Sequence, residues 1–304
     1  MVIDPPMPRN QPRPLEREAI EARVRNCPRL PSLRSIDSAM RELLNADQRY
    51  TSQISEVVRR DPSLTARLLR LVNSVYYGHT TTVNNIEEAV FYLGVRQIRQ
   101  LAMVTPVLED FQKLAGRVPF AWREFWRHSI GTAMLTREVT NLLQSPPDEV
   151  DYVAGLVHDV GKIVMASAFP EYFEYIHTRP PDGQDLITTE QNTLGVDHAE
   201  LGAIYLQNHN LPDVLVETAR CHHQPERAGR HAQIVAAVQI ANLLVHHAHL
   251  GQSGHSGEVT TEMWQEASGW GILFPQRTGE ERLIAHAQLK RSLERIPLIL
   301  DGLV

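Results

Sequence analysis

Six polar side chains interrupt apolar helical runs between residues 128 and 223 of this 304-residue chain: His128, the doublet His158–Asp159, His198 and the doublet His222–His223. A single histidine on an apolar face is ordinarily a core residue with a hydrogen-bond partner. Six such groups in one chain fit a different chemistry. Neutral imidazole is a common ligand for borderline divalent ions, and a carboxylate can bridge two ions that lie close together. In "AGLVHDVGKIV", residues 154–164, neighbours on one helix diverge by about 100°, so His158 and Asp159 are expected to reach one centre from two directions. Lys162, one turn after His158, shares its face. It would offer positive charge to a phosphate oxygen or pair with Asp159.

The elements that must hold these groups read as helices. Apolar stripes at helical spacing run through WRHSIGTAMLTREV, DYVAGLVHDVGKIVMA, HAELGAIYLQNH and AQIVAAVQIANLLVHH, divided by turn-rich loops such as SPPDEVD and TRPPDGQD. Earlier in the chain, Leu15, Ala19, Ala22 and Val24 form a first stripe. Asp61 and Pro62 then make a helix start, followed by Leu64, Leu68, Leu71 and Val72 on one face. Asn85 caps another helix, with Glu88 three residues on and Gly94 as its stop. No alternating strand pattern appears in the first 110 residues. The expected fold class is all-α, with two packed helical lobes. Its parts are a flexible lead-in over 1–14 with five prolines, a first lobe over 15–114, a second over 115–250, and a C-terminal helical appendage over 251–304.

Bulk composition limits the partners. Hydrophobic residues make up 42% and charged residues 22%, which is a globular profile. A net charge of −6 disfavours general polyanion binding, since nucleic-acid affinity rests on clustered Lys and Arg. The two cysteines, Cys27 and Cys221, make no disulfide framework, and no signal peptide or apolar run of about 18 residues occurs, so the expected address is the cytoplasm, with no membrane partner.

The ordered segments "FWRHS", "GLVHDVGK", "LGVDHAELGAIYL", "LPDVLVETARCHH" and "VQIANLL" resemble the HDOD domain, a signalling-associated relative of the HD phosphohydrolases. "LPSL", "VVRRDPSLTARLLRLVNSVYYG" and "NNIEEAVFYLGVRQIRQL" are similar to that family's N-terminal helical lobe. The resemblance spans roughly Cys27 to His249 and makes the second lobe HD-domain-like. By its motifs, His128, His158 and Asp159 would belong to a first metal position, and Asp159, His198, His222 and His223 to a second. Glu124 matches an acidic position of some HD-GYP enzymes. The implied ions are one or two divalent transition metals: iron, manganese, nickel or zinc.

Two departures lower the expectation of catalysis. Where the family's metal-dependent relatives carry a late aspartate, this chain has Ala241–Asn242, and an amide oxygen brings no negative charge. After the histidine pair the chain reads "CHHQPERAGRH", without the glutamate and the DGxGYP loop associated with cyclic dinucleotide cleavage. His246, one turn beyond Asn242, is a candidate replacement by spacing alone. Cys221 is either a soft ligand or a small buried residue.

Three functions compete. The resemblance implies a regulatory module for signal transduction, whose partners would be other signalling proteins and a small phosphorylated or nucleotide ligand. A metal-dependent phosphohydrolase is the alternative, with Lys162 stabilising developing negative charge. A DNA-binding regulator is the third, because the helices around Gly94 imitate a helix-turn-helix with Arg96 and Arg99 facing phosphates. Against it, the chain is acidic, and Phe91, Leu93, Val95 and Ile98 read as core. Tyr76–Tyr77 and Trp122–Trp126 read as core packing or an interlobe contact.

Overall fold

In the computed structural model the described residues are 12–28, 62–73, 82–94, 98, 110, 113, 118–143, 150–178, 185–255, 257–276 and 279–303. Among them no strand occurs, and the fold is all-α. The helices are α1 (Arg17–Arg25), α2 (Pro62–Val72), α3 (Trp122–Asn141), α4 (Val150–Val157), α5 (Val160–Ala168), α6 (Pro170–Thr178), α7 (Leu186–Leu194), α8 (His198–Asn208), α9 (Asp213–Cys221), α10 (Ala232–His247), α11 (Thr261–Gln265), α12 (Gly269–Leu273) and α13 (Gly279–Leu303). Residues 86–94 are also helical.

A helix that is apolar on nearly all sides must lie in a core. The helix α10 is such a helix, and it packs against α3, α4, α9, α11 and α12. Around it, α3 packs on α4, α4 on α9, α9 on α8, and α8 on α5, so that the polar doublets face inward between the helices. The closest approach is that of α5 to α8. A Cβ on Gly161 would stand 1.8 Å from the His198 carbonyl oxygen and 2.7 Å from the Gly202 nitrogen. Only glycine permits this crossing, which brings the start of α5 against the start of α8.

The C-terminal α13 packs on both α3 and α2, burying Ala285, Leu289, Ile296, Ile299 and Leu300. It therefore touches two helices that lie about 50 residues apart in the sequence. Trp264 and Trp270 are buried beside it, with the Trp270 indole N–H donating to the Trp264 carbonyl at 2.8 Å. At the other end of the sequence, α1 packs on α8 and α5, with Arg17 and Arg23 pairing with Glu200 and Glu171.

The structure corrects several local expectations. In α1, Ala19 and Ala22 are exposed and Ile20 and Val24 face the core, because the two larger side chains bury more apolar surface. Phe91 is 77% exposed, whereas Leu93 and Ile98 are buried. Asn85 does cap its helix, accepting the Glu87 N–H at 2.8 Å, and Gly94 ends it at φ 74°. Trp122 and Trp126 sit in an aromatic cluster with Phe120, Phe125 and Phe173. The residues Asp61, Tyr76, Tyr77, Val95, Arg96, Arg99 and Leu114, the stretch 1–11 and the side chain of Leu64 lie outside the described residues. Among the described residues no single helix is long and apolar enough to cross a membrane.

Candidate metal centre

His158 and Asp159 do not share a helix. They form a turn between α4 and α5, with Asp159 at φ −95°, ψ 15°. The turn uses a device that recurs at the second doublet. The His158 ring nitrogen Nδ1 lies 2.8 Å from the carbonyl of Gly155, and His222 Nδ1, at the end of α9, lies 2.9 Å from the carbonyl of Ala219. A carbonyl can only accept, so Nδ1 carries the proton in both rings and Nε2 presents its lone pair. Each doublet thus ends a helix by folding its first histidine back on it.

Both oxygens of Asp159 sit at the middle of the cluster. Oδ2 is 2.7 Å from Lys162 Nζ, 3.4 Å from His158 Nε2 and 3.8 Å from His128 Nε2. Oδ1 is 3.2 Å from His198 Nε2 and 3.6 Å from His222 Nε2. The donors fall into two groups, His128 with His158 and Asp159, and His198 with His222 and His223, each with ligand atoms within 4.8 Å of one another. His198 Nε2 and His223 Nε2 are 3.0 Å apart.

The electrostatics favour neutral rings around one anion. Burial alone would raise the Asp159 carboxyl, but the Lys162 ammonium, and after it His158, hold it well below the usual carboxylate range. Burial lowers His158 to about 3 and pulls His128 and His223 well down. His198 goes the other way. Burial is the largest effect and opposes its charge, yet Glu190 and Asp159 together overcome it and carry the ring up to about 9.

A divalent ion fits these residues. His158 Nε2, His222 Nε2, both ring nitrogens of His128 and the Asn242 side-chain oxygen are buried without a hydrogen-bond partner. Leaving such groups unsatisfied costs roughly 1–3 kcal/mol each, and a cation at their centre would remove that cost. Asn242 is itself only 4% exposed. Glu124 stands outside both donor groups, its carboxylate 40% exposed and 3.8 Å from Arg127. Cys221 is a buried free thiol outside both donor groups. His246 also stands outside them, its ring 4.5 Å from His128 and its Nε2 3.3 Å from Ser253 Oγ.

Two contributions escaped the sequence reading. Glu190 of α7 is fully buried and accepts from the backbone N–H of His198 at 2.8 Å, and its Oε2 lies 2.6 Å from His198 Nδ1. It fixes the ring as carboxylates behind metal-bound histidines do. The only signal was an acidic residue on the inner face of a polar helix. The second is His255, in the Gly-rich stretch after α10. His255 Nδ1 is 3.5 Å from Lys162 Nζ and 3.2 Å from Ser253 Oγ.

An all-helical fold whose core carries clustered histidines about one buried aspartate defines an HD-like class of protein. The family model of the HDOD domain matches residues 30–225, and the chain belongs to that family. Among solved structures, an HDOD domain protein of unknown function from Geobacter sulfurreducens is similar with a TM-score of 0.76 and 24% identity, over 95% of this chain and 99% of that one. A Shewanella amazonensis protein called "Putative phosphohydrolase" is similar with a TM-score of 0.63 and 23% identity, over 94% and 98%. At these identities the likeness shows the fold. A curated relative, an uncharacterized protein of Treponema pallidum, is 28% identical over 237 residues, which is 75% of this chain but 44% of the relative. The chain thus spans less than half of that relative's length.

Proposed function

We propose that this chain is a regulatory module of signal transduction whose HD-like lobe holds one or two first-row divalent ions without robust catalysis. The observation that carries the metal is the placing of imidazole nitrogens from two groups on the two oxygens of one buried carboxylate. The weak catalysis rests on Asn242, which leaves Asp159 as the one anion within the two donor groups. His128, His158, Asp159 and Asn242 would hold one ion, and Asp159, His198, His222 and His223 the other. In this reading residues 15–114 and 115–250 are the two lobes, α13 joins them, and a partner signalling protein reads their relation.

Elemental analysis of the purified protein tests the metal, with His222→Ala and Asp159→Asn beside the parent. At least one ion per chain in the parent and loss in Asp159→Asn are expected. Equal metal content in all three would refute the assignment.

The phosphohydrolase reading has its own supporting observation. Lys162 is fully buried with its ammonium at the same carboxylate oxygen that His128 and His158 face, where a phosphoryl group would meet it. A bound divalent ion would supply Lewis-acid polarisation of that group. Turnover of a generic phosphodiester by the metal-loaded protein, lost in Lys162→Met, would favour this reading over a sensory site.

A further inference from the structure

A cavity of about 380 Å³ lies beside the centre, bounded by Phe120 before α3, Ile176 and His177 of α6, Leu186 of α7, and Gln252 and His255. Its size is that of a small-molecule site. Three features give it a direction. Its described walls carry no Lys, Arg, Asp or Glu, and Phe120, Ile176 and Leu186 make an apolar end. The His177 ring lies edge-on to Phe120 at 4.9 Å, with its Nε2 buried and without a hydrogen-bond partner. His255 is also part of the wall, and from it Lys162 stands at 3.5 Å, with the rings of His223 and His198 at 5.7 and 6.0 Å.

The backbone that carries His255 is held firmly. His249, Gly251 and Gly254 take left-handed φ values of 52°, 84° and 89°. A Cβ on Gly251 would come within 2.2 Å of the Glu124 carbonyl oxygen, and the neighbouring Gln252 N–H donates to that same oxygen at 3.1 Å. Ser253, fully buried, lies with its hydroxyl between His246 Nε2 and His255 Nδ1. The imidazole of His255 itself is half-buried.

We propose that this cavity is the ligand entrance of the centre, that His255 is its gate, and that it takes a small molecule joining an uncharged planar ring to an anionic group. The ring would lie against Phe120, Ile176 and Leu186. The anionic end would displace the His255 ring and meet Lys162. The inference rests on the reading of the polar cluster as a binding centre, but its ring-binding half stands on the cavity alone.

Calorimetric titration of the full chain with phenyl phosphate and with inorganic phosphate tests it, with metal content measured on the same samples. Phenyl phosphate should bind about tenfold or more tightly than inorganic phosphate, the ratio expected from burying most of one aromatic ring. Leu186→Trp fills the cavity and should erase that ratio. Gln252→Trp, at an exposed position on the rim, does the same without touching the core. His255→Ala should speed association of both probes. Equal affinity of the two probes, binding of neither, or an unchanged ratio in Gln252→Trp overturns the inference. A preserved ratio in protein that holds no metal would instead overturn the metal reading and leave the cavity standing.

Discussion

Replacing Asp159 by Asn should destabilise the metal-free protein and abolish its stabilisation by metal. In the metal-free state the carboxylate is the partner of Lys162, with the two side chains 1% and 0% exposed and 2.7 Å apart. Removing one partner of a buried pair strands the other charge and costs roughly 3–5 kcal/mol. That is a large part of the roughly 5–15 kcal/mol that holds a protein folded. Metal adds a second term. An ion at about a thousandfold its dissociation constant stabilises the parent by about 4 kcal/mol, and the variant, lacking the carboxylate both donor groups share, should gain almost none of it. The assay is denaturant unfolding with and without chelator and with zinc or manganese added. In the double variant Asp159→Asn/Lys162→Met, most of the metal-free loss should return, since no charge is left stranded. A metal-dependent shift of the same size in Asp159→Asn and parent would refute the assignment of Asp159 as shared ligand. A metal-free stability unchanged in Asp159→Asn would refute the ion pair.

The His198–Glu190 pair makes a pH prediction. With its folded pKa raised to about 9, His198 contributes stability that is present below its unfolded pKa near 6.5 and lost as pH rises through 9. His158 and His177, lowered to about 3, act oppositely, so stability falls as pH drops below about 6.5. The metal-free protein should therefore unfold least readily near pH 6.5, and a monotonic pH profile would contradict both assignments. Metal uptake at pH 7 should release about one proton from His198, read as a dependence of calorimetric heat on buffer ionisation enthalpy. Glu190→Gln should weaken metal binding about 10- to 100-fold, measured by competition with a chelator. Gly161→Ala should cost about 1–3 kcal/mol or more in unfolding experiments, because its Cβ falls on the backbone of α8.

How much of this was legible in the sequence depended on how local the signal was. Helix ends written by single residues, such as Asn85 and Gly94, appear where they were read. The six polar residues of the doublets and single histidines meet at one centre, because polar groups placed in apolar helices have nowhere to go but toward one another. The doublet's own geometry was not legible. Periodicity continues through DYVAGLVHDVGKIVMA, but burying His158 against the Gly155 carbonyl breaks the helix there. Glu190 and His255 were missed for a different reason. Their partners are 8 and 93 residues away, and neither an acidic residue in α7 nor a histidine among glycines signals such a contact. Phe91 was misread because an apolar residue in a helical pattern carries no mark of the surface it faces.

In the proposed metal reading, Asn242 would limit how many ions the centre holds. Asp159 is the one anion in the two donor groups, Lys162 already pairs with it, and the other donors are imidazoles, of which burial pulls His128, His158 and His223 down and Glu190 holds His198 through its far side. A single dication is balanced in part by Asp159, whereas a second adds two positive charges to a buried space that gains no further carboxylate. The second group has three imidazoles, two of them facing Asp159 Oδ1, while the first has two imidazoles and an Asp159 Oδ2 occupied by Lys162. The parent should therefore fill the His198–His222–His223 side first and hold close to one ion per chain. Asn242→Asp restores an anion on the other side and should raise the content toward two, measured by elemental analysis after dialysis against a metal buffer. His222→Ala should remove the ion from the parent and leave close to one in the Asn242→Asp background. Identical metal content in the parent and Asn242→Asp would mean that charge at position 242 does not govern the first site.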